Sequence, residues 1–317
     1  MDFDDRAIRR LKLSDLRLLL AVVQWGGMAK AASHLNISQP AVSKAIAAME
    51  HTLGVRLLDR NAQGVEPTAY GRELLKCAVS IFDELRQGMK RLEFLADPAA
   101  GELRIGSTEP LVAGLLPQII DRLSREYPRI IFDVTQADIM ALCDHELRER
   151  KVDLILGRMP ISFAEDASLN VETLFDEQIF VVAGAISRWA HRRKIELADL
   201  VDEPWALPRR DSPVGSLMAD AFRAGGLEPP QPSVVCFSFQ MHNALLATGR
   251  FLSMASGSML RLSAKRLSVK ILPIELRIRP RPVGIVTLKN RTISPVAQLF
   301  IECAREVAKT LASDSRN

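Results

Sequence analysis

The chain has 317 residues, 42 basic and 38 acidic side chains, a formal net charge of +4, and 48% apolar residues of which few are aromatic. That length exceeds one comfortable hydrophobic core and implies two or more globular units. No apolar run approaches a membrane span and the acidic start Met1-Asp2-Phe3-Asp4-Asp5 lacks the apolar stretch of a secretion signal, so the expectation is a cytoplasmic protein without membrane contact.

The first predicted helix follows Ser14, a candidate N-cap, carries Leu16, Leu19, Leu20 and Val23 on one face, and ends at Gly26-Gly27. A short second helix holds Ala31-Ala32 and runs to Leu35; two adjacent alanines permit a close helix crossing. Ser38 then caps a third helix with Pro40 in its first turn, where the missing N–H has no intrahelical partner to lose. Val42, Ile46, Met49 and Leu53 recur at the spacing of a buried stripe. Pro40, Lys44, Ala47 and His51 fall opposite that stripe, with Gln39 and Ser43 on its flank. This is a helix-turn-helix pattern, and the free face suits base edges in a major groove. The plain alternative is a small three-helix core with no partner.

Charge favours the DNA reading. From Arg6 to Arg60 there are nine basic and three acidic side chains, whereas residues 61 to 317 hold 33 and 32. A basic patch of this kind attracts a phosphate backbone through counterion release, although a solvated basic face has the same composition. Next, Val55 to Arg60 reads as a short strand, Asn61 to Gly64 as a turn and Val65 to Pro67 as a return strand. Such a hairpin is a wing whose Arg56 and Arg60 reach toward phosphates or the minor groove; an ordinary surface hairpin would carry arginines too.

Between Leu13 and Gly71 the residues resemble the LysR-type transcriptional regulator family. The resemblance is carried by Ala31-Ala32, by Ser38-Gln39-Pro40-Ala41-Val42-Ser43-Lys44, by Leu53 through Arg60, and by Thr68-Ala69-Tyr70-Gly71. Gly27 and Ala29 stand where members often carry Ser and Thr, and Leu58 where Phe is common. The resemblance implies an all-α winged helix-turn-helix of residues 1–67, with Ser38, Gln39, Pro40, Ser43, Lys44, Ala47, Lys30, Arg56 and Arg60 as candidate DNA contacts. The length and layout of the remaining chain agree with that family.

From Thr68, a candidate N-cap, Leu74, Ala78, Ile81, Leu85, Gly88, Leu92 and Leu95 alternate steps of four and three. This is a coiled-coil seam, set against the alternative of a helix packed on its own domain with a wider stripe. Gly88 contributes no knob and marks a close approach or a bend. By the resemblance, residues 68–96 form a linker helix that pairs two subunits and spaces their reading heads on an inverted repeat. Asp97-Pro98-Ala99-Ala100-Gly101 ends the helix and forms a hinge.

Beyond it, strands and helices alternate: Glu102 to Ser107, Leu115 to Glu126, Ile130 to Val134, Ile139 to Arg150 and Val152 to Gly157. The order predicts a parallel sheet with helices on both faces. A second α/β set follows, with strands near Gln178 to Val182, Ser233 to Phe237 and Phe251 to Met254 and a helix near Val214 to Ala224. Val269 to Leu272, Val283 to Leu288 and the helix from Pro295 to Leu311 are expected to return to the first lobe. The resemblance supplies the architecture of residues 102–317: a two-lobed, periplasmic-binding-protein-like α/β effector domain. One lobe spans about 102–162 and 268–317 and the other about 163–267, with crossings near Pro160 to Ala164 and near Leu262 to Ser268.

Ligands of open α/β sheets bind beyond the carboxyl ends of the strands, and a cleft between lobes is the usual place for a small molecule. That rule selects Ser107, Thr108, Thr135, Gln136 and Arg158 from one lobe and Arg209, Arg210 and Ser212 from the other. Ser107 and Thr108 precede a helix whose N-terminus favours an anion, so these residues point to an effector with a carboxylate or a sugar-derived polyol acid, and the resemblance adds sugars, sugar acids and aromatic acids as the expected effector classes. For Ser107 and Thr108 the competing reading is a plain helix cap, and for Arg209 and Arg210 a solvated loop.

Three rival functions are weighed. An enzyme lacks support, since there is no GxSxG, P-loop or GxGxxG, and the five histidines show no triad or metal spacing. A transport solute-binding protein conflicts with the missing signal peptide and the helix-turn-helix. A thiol-based redox sensor needs paired cysteines, whereas Cys77, Cys143, Cys236 and Cys303 are scattered in apolar-patterned elements and read as reduced core thiols. By the resemblance, the expected protein is a bacterial homodimer, assembling further to a tetramer, that binds an imperfect inverted repeat in promoter DNA, responds to a small effector, acts on RNA polymerase, controls a catabolic or uptake operon and uses no cofactor or metal.

Overall fold

A computed structural model describes residues 9–61, 64–160, 162–263 and 268–313. The chain divides into two compact units, Met1–Met89 and Lys90–Asn317. The expected acidic N-terminal start, the wing-turn residues Ala62 and Gln63, and most of the expected crossing at Leu262 to Ser268 lie outside the described residues.

In the first unit, helix α1 (Leu13–Gln24) begins one residue before the expected Ser14 cap. The backbone N–H of Lys12 donates to the Asp15 carboxylate at 3.1 Å, so an acid reaching back from the first turn closes this end. Helix α2 (Met28–Leu35) starts at Gly27 and stops at Asn36, which adopts the left-handed conformation with φ 55°. Helix α3 (Gln39–Leu53) follows, its Ser38 hydroxyl accepting from the Ala41 N–H. Ala31, Val42, Ile46 and Leu19 are fully enclosed where the three helices cross, and Met49 and Leu57 close the same core.

The wing is strand β1 (Leu58–Asn61) paired antiparallel with β2 (Gly64–Pro67), Asn61 opposite Gly64. Glu50 of α3 fixes its entry, because one carboxylate oxygen accepts from the N–H groups of Leu57 at 2.8 Å and Leu58 at 3.2 Å. Thr68 caps the long helix α4 (Ala69–Ala96): its hydroxyl donates to the Arg56 carbonyl and accepts from the Gly71 N–H. Gly71 is required by contact, since a Cβ there would lie 2.0 Å from the Leu57 carbonyl oxygen. Along α4 the expected seam is partly enclosed at Leu74, Ala78 and Ile81 and open at Leu85, Leu92 and Leu95. Cys77 is exposed on this helix and is therefore not a core thiol.

In the second unit a five-stranded sheet has the order β4 (Arg129–Gln136), β3 (Ala100–Ser107), β5 (Leu154–Arg158), β12 (Arg281–Leu288), β6 (Leu169–Glu177). The first three are parallel, as the alternation predicted, but β12 runs antiparallel to both β5 and β6, so the sheet is mixed. Helices α6 (Leu115–Glu126) and α12 (Pro295–Ser313) cover one face with Leu116, Ile119 and Phe300; Leu142, Leu147 and Phe163 cover the other. The expected helix from Ile139 runs as one short α-helical turn into a π-helix, Leu142–Leu147.

The second sheet is β10 (Leu252–Ser256), β7 (Ile179–Gly184), β11 (Val269–Ile271), antiparallel throughout, with the small parallel pair β8 (Ala206–Leu207) and β9 (Val234–Val235) beside it. Two expectations are corrected here. Strand β6 belongs to the first sheet, and Val269 to Leu272 pairs with β7 instead of returning to the first lobe. The crossings therefore fall at Gln178, a single residue between two strands, and at residues 272–280. The Pro160 region misleads because proline reads as a break between lobes, whereas here it precedes another edge strand of the same sheet.

Asp153 sits at the base of the first lobe with its side chain 5% exposed, ringed by Lys90 at 3.2 Å, Arg104 at 2.8 Å and Arg291 at 2.7 Å. Burial opposes its charged form, but the Arg104 hydrogen bond and the three surrounding cations overcome burial and hold the carboxyl well below the usual carboxylate range.

Candidate DNA-reading face and effector cavity

The stripe that buries α3 decides which of its side chains remain outside. Ser38, Gln39, Pro40, Lys44 and Ala47 are exposed and Ser43 is half-buried on the flank. Lys30 on α2 and Arg56 just before β1 are exposed as well. Arg60 stands in β1 opposite Val65, and its side chain lies outside the described residues. Small and polar groups at the start of α3, backed by exposed cations on the adjoining elements, form a surface suited to a groove edge flanked by phosphates.

The second unit holds two adjoining cavities between its lobes. The outer one, about 260 Å³, is lined by Thr108, Asp138, Arg158 and Arg281 from the first lobe and by Ser216, Leu217 and Phe237 from the second. The inner one, about 70 Å³, lies between Glu109, Pro110 and Arg158 on one side and Phe239, His242, Ser256 and Met254 on the other. Pro110, Arg158, Val214 and Phe237 line both, so the two chambers meet there.

Arg158 ends β5, and its Nε is shielded from solvent with no hydrogen-bond partner among the described residues. Burial lowers its affinity for the proton, the buried Glu177 carboxylate favours the charge, and Arg281 opposes it. Two guanidinium groups thus face one cavity and repel each other. Glu177 is itself engaged, accepting from the N–H and hydroxyl of Ser258 at 2.9 and 2.5 Å. Across the cleft the Glu109 carboxylate accepts from the Phe239 N–H at the start of helix α10 (Phe239–Ala247), and burial raises its pKa while that bond lowers it. His242 on the same helix has its pKa lowered by burial against the opposing effect of a hydrogen bond to the Cys236 backbone.

Of the eight residues selected by the strand-end rule, Thr108 and Arg158 line the outer cavity. Ser107 is fully buried and its hydroxyl donates to the Leu156 carbonyl at 2.8 Å, which removes it from the ligand face. Thr135 and Gln136 end the outermost strand β4 and line neither chamber. Arg209 pairs with Asp211 on the surface, Arg210 donates to the carbonyls of Pro229 and Pro230, and Ser212 caps helix α9 (Pro213–Ala224). These three build the loop that holds α9 in place. Arg281 was not selected because the rule took residues at the carboxyl ends of strands, and Arg281 lies ahead of the expected strand Val283 to Leu288. Since β12 is antiparallel, its amino end lies at the edge where the parallel strands finish, Val283 standing opposite Arg158. The nearby basic run from Arg277 to Arg281 was the available signal.

The remaining cysteines give no reactive pair: Cys143 and Cys303 are buried, Cys236 is partly so, and burial raises all three thiols. Among the described residues no cluster of His, Cys, Asp and Glu has the geometry to hold a metal ion, and no helix is long and apolar enough to cross a membrane.

The bacterial regulatory helix-turn-helix, lysR family, matches residues 13–72, and the LysR substrate binding domain matches residues 96–309. The HTH-type transcriptional regulator GbpR of Azospirillum brasilense is 29% identical over 95% of this chain and 88% of its own length. A full-length OxyR variant from Pseudomonas aeruginosa shares the fold with a TM-score of 0.67 at 20% identity, over 95% of this chain and 97% of that one. The LysR family regulator CbnR superposes with a TM-score of 0.62 at 22% identity, over 94% and 99% of the two chains. A winged reading head joined by a long helix to a two-lobed effector-binding domain, matched along nearly its whole length, makes this chain a LysR-type, DNA-binding transcriptional regulator and a member of that family.

Proposed function

We propose that a small effector binds between the two lobes, at Arg158, Arg281 and Thr108, and thereby changes how the protein holds promoter DNA. The observation that carries this is the interlobe cavity itself, in which two arginines from the first lobe face Ser216 and Phe237 of the second. A ligand there touches both lobes at once, so binding favours one lobe arrangement by its differential contacts. The domain boundaries that go with this reading are 1–67, 68–96, 97–101 and 102–317, with lobe crossings at Gln178 and 272–280.

In this reading the protein is a homodimer, paired through the open apolar stripe Leu85, Leu92 and Leu95 of α4, and two dimers share an imperfect inverted repeat next to a promoter. RNA polymerase is the downstream partner, the location is the cytoplasm, and the effector is bound without being turned over, in keeping with relatives that are regulators. Footprinting of the purified protein on DNA beside its own gene tests the scheme. Protection of paired half-sites that shifts with effector in the wild type but not in Arg158→Met is expected. An effector response unchanged in Arg158→Met would overturn the cavity assignment, and protection unchanged in Gln39→Ala and Ser43→Ala would overturn the reading face.

A further inference from the structure

Buried polar atoms without partners are rare in folded proteins, and each bears the full cost of its lost hydration unless a ligand or ordered water meets it. Among the described residues the Arg158 Nε, the His242 Nε2 and the Ser256 hydroxyl are such atoms, and the three residues that carry them all line the inner chamber. They also come from different lobes: Arg158 ends β5 of the first sheet, whereas His242 is on α10 and Ser256 ends β10 of the second. The cavity thus presents a cationic donor from the first lobe and a neutral imidazole acceptor with a hydroxyl from the second.

The rest of the wall is largely apolar and soft, with Met218, Met254, Met259, Phe237, Phe239 and Val182. Thioethers and aromatic edges make favourable contacts with an aromatic ring. A polyol fits badly, because every hydroxyl taken from water needs a partner. Of the other polar groups here, Glu109 is engaged by the Phe239 N–H and Ser253 donates to the Ala206 carbonyl, which leaves the Asn243 amide as one further polar side chain on the wall, too few for a polyol's several hydroxyls.

Building on the interlobe reading above, we propose that the effector is a compact aryl carboxylate bearing a ring hydroxyl. Its carboxylate lies against Arg158 and Arg281, its ring enters the inner chamber, and its hydroxyl is met by His242 and Ser256. Because the hydrogen bond to the Cys236 backbone occupies the Nδ1–H, the Nε2 of neutral His242 is left as an acceptor. The ligand thereby joins the lobes through one charged contact and one hydroxyl contact, and the sugar and sugar-acid classes drop out of the expected effectors.

The test is calorimetric titration of the full-length protein, supported by melting curves, with benzoate, 3- and 4-hydroxybenzoate, 4-hydroxybenzyl alcohol and gluconate. At least one hydroxybenzoate is expected to bind tenfold or more tightly than benzoate, and the alcohol and gluconate to leave the melting temperature unchanged. His242→Phe should erase the advantage of the hydroxyl while keeping benzoate binding, His242→Gln, which keeps an acceptor, should restore part of it, and Arg158→Met should abolish carboxylate binding. Equal affinity for benzoate and both hydroxybenzoates overturns the proposal, as does the absence of any carboxylate binding. Gluconate binding that is lost in Arg158→Met overturns the ligand class and leaves the cavity assignment standing. Carboxylate binding that survives both Arg158→Met and His242→Phe overturns the cavity assignment itself.

Discussion

The two units of this chain keep their chemistry in opposite places. In the reading head the core cluster is apolar, and the candidate DNA contacts stand mostly exposed on the free face of α3 and on the elements beside it. In the effector domain the informative groups are enclosed: Asp153 among three cations, Arg158 and His242 with unpartnered nitrogens, Glu177 holding Ser258. A surface that meets a highly charged polymer gains from solvated, rearrangeable side chains, whereas a pocket that recognises one small molecule gains from desolvated groups that only that molecule satisfies.

The sharpest way to break the comparison is to neutralise a buried charge. Asp153→Asn leaves Lys90, Arg104 and Arg291 without their counter-ion and is expected to destabilise the effector domain by about 3–5 kcal/mol, read as an earlier midpoint in urea. The sign with pH follows from the lowered pKa. The unfolded carboxyl titrates near about 4, so the wild-type advantage is fully present above that value and is lost as pH falls through the lower folded value. The difference between the two proteins should therefore shrink in acid.

In the reading head the corresponding lesion is steric. Gly71→Ala places a methyl group against the Leu57 carbonyl and is expected to cost about 1–3 kcal/mol, measured by thermal melting of the DNA-free protein. A surface change there should act on binding alone. Replacing Lys44 with Ala is expected to leave the melting temperature within a degree or two of wild type, weaken DNA binding across sequences, and reduce the slope of log K against log salt by about 0.9 if it meets one phosphate. A Lys44 variant that unfolds instead would place this side chain in the core and reverse the contrast. The smallest expected effect is at the cap: Ser38→Ala should destabilise by about 1 kcal/mol, visible as a small shift in the same melting curve.

The head was legible in the sequence because a 3.6-residue period, a cap and a proline each report on local structure, and a three-helix core asks for little more. Even there the first cap was displaced, because an aspartate reaching back to Lys12 is a weaker sequence signal than a serine. The effector domain yielded its parallel strands, and with them Thr108 and Arg158, through the same local patterning. Arg281, His242 and Ser256 escaped it. Their placement depends on which strands are antiparallel and on which helix faces the cleft, and those are decided by pairing partners far away in the chain. Ser107 was selected wrongly for the opposite reason: it has the right residue type at the right strand end, but the neighbouring strand offers its hydroxyl a carbonyl first.

The crossing at Gln178 has a consequence for how this protein tolerates change. Side chains of a strand alternate between faces, so a residue added between Glu177 and Ile179 would turn one strand's inward set outward relative to the other. Nine residues make the return at 272–280, where Leu272, Ile274, Leu276 and Ile278 pack on the core of the second lobe, so extra length costs little entropy only between those anchors. The two connections therefore age differently: one is fixed in length to the residue, and the other can take added residues between its packed side chains without shifting the register of either sheet.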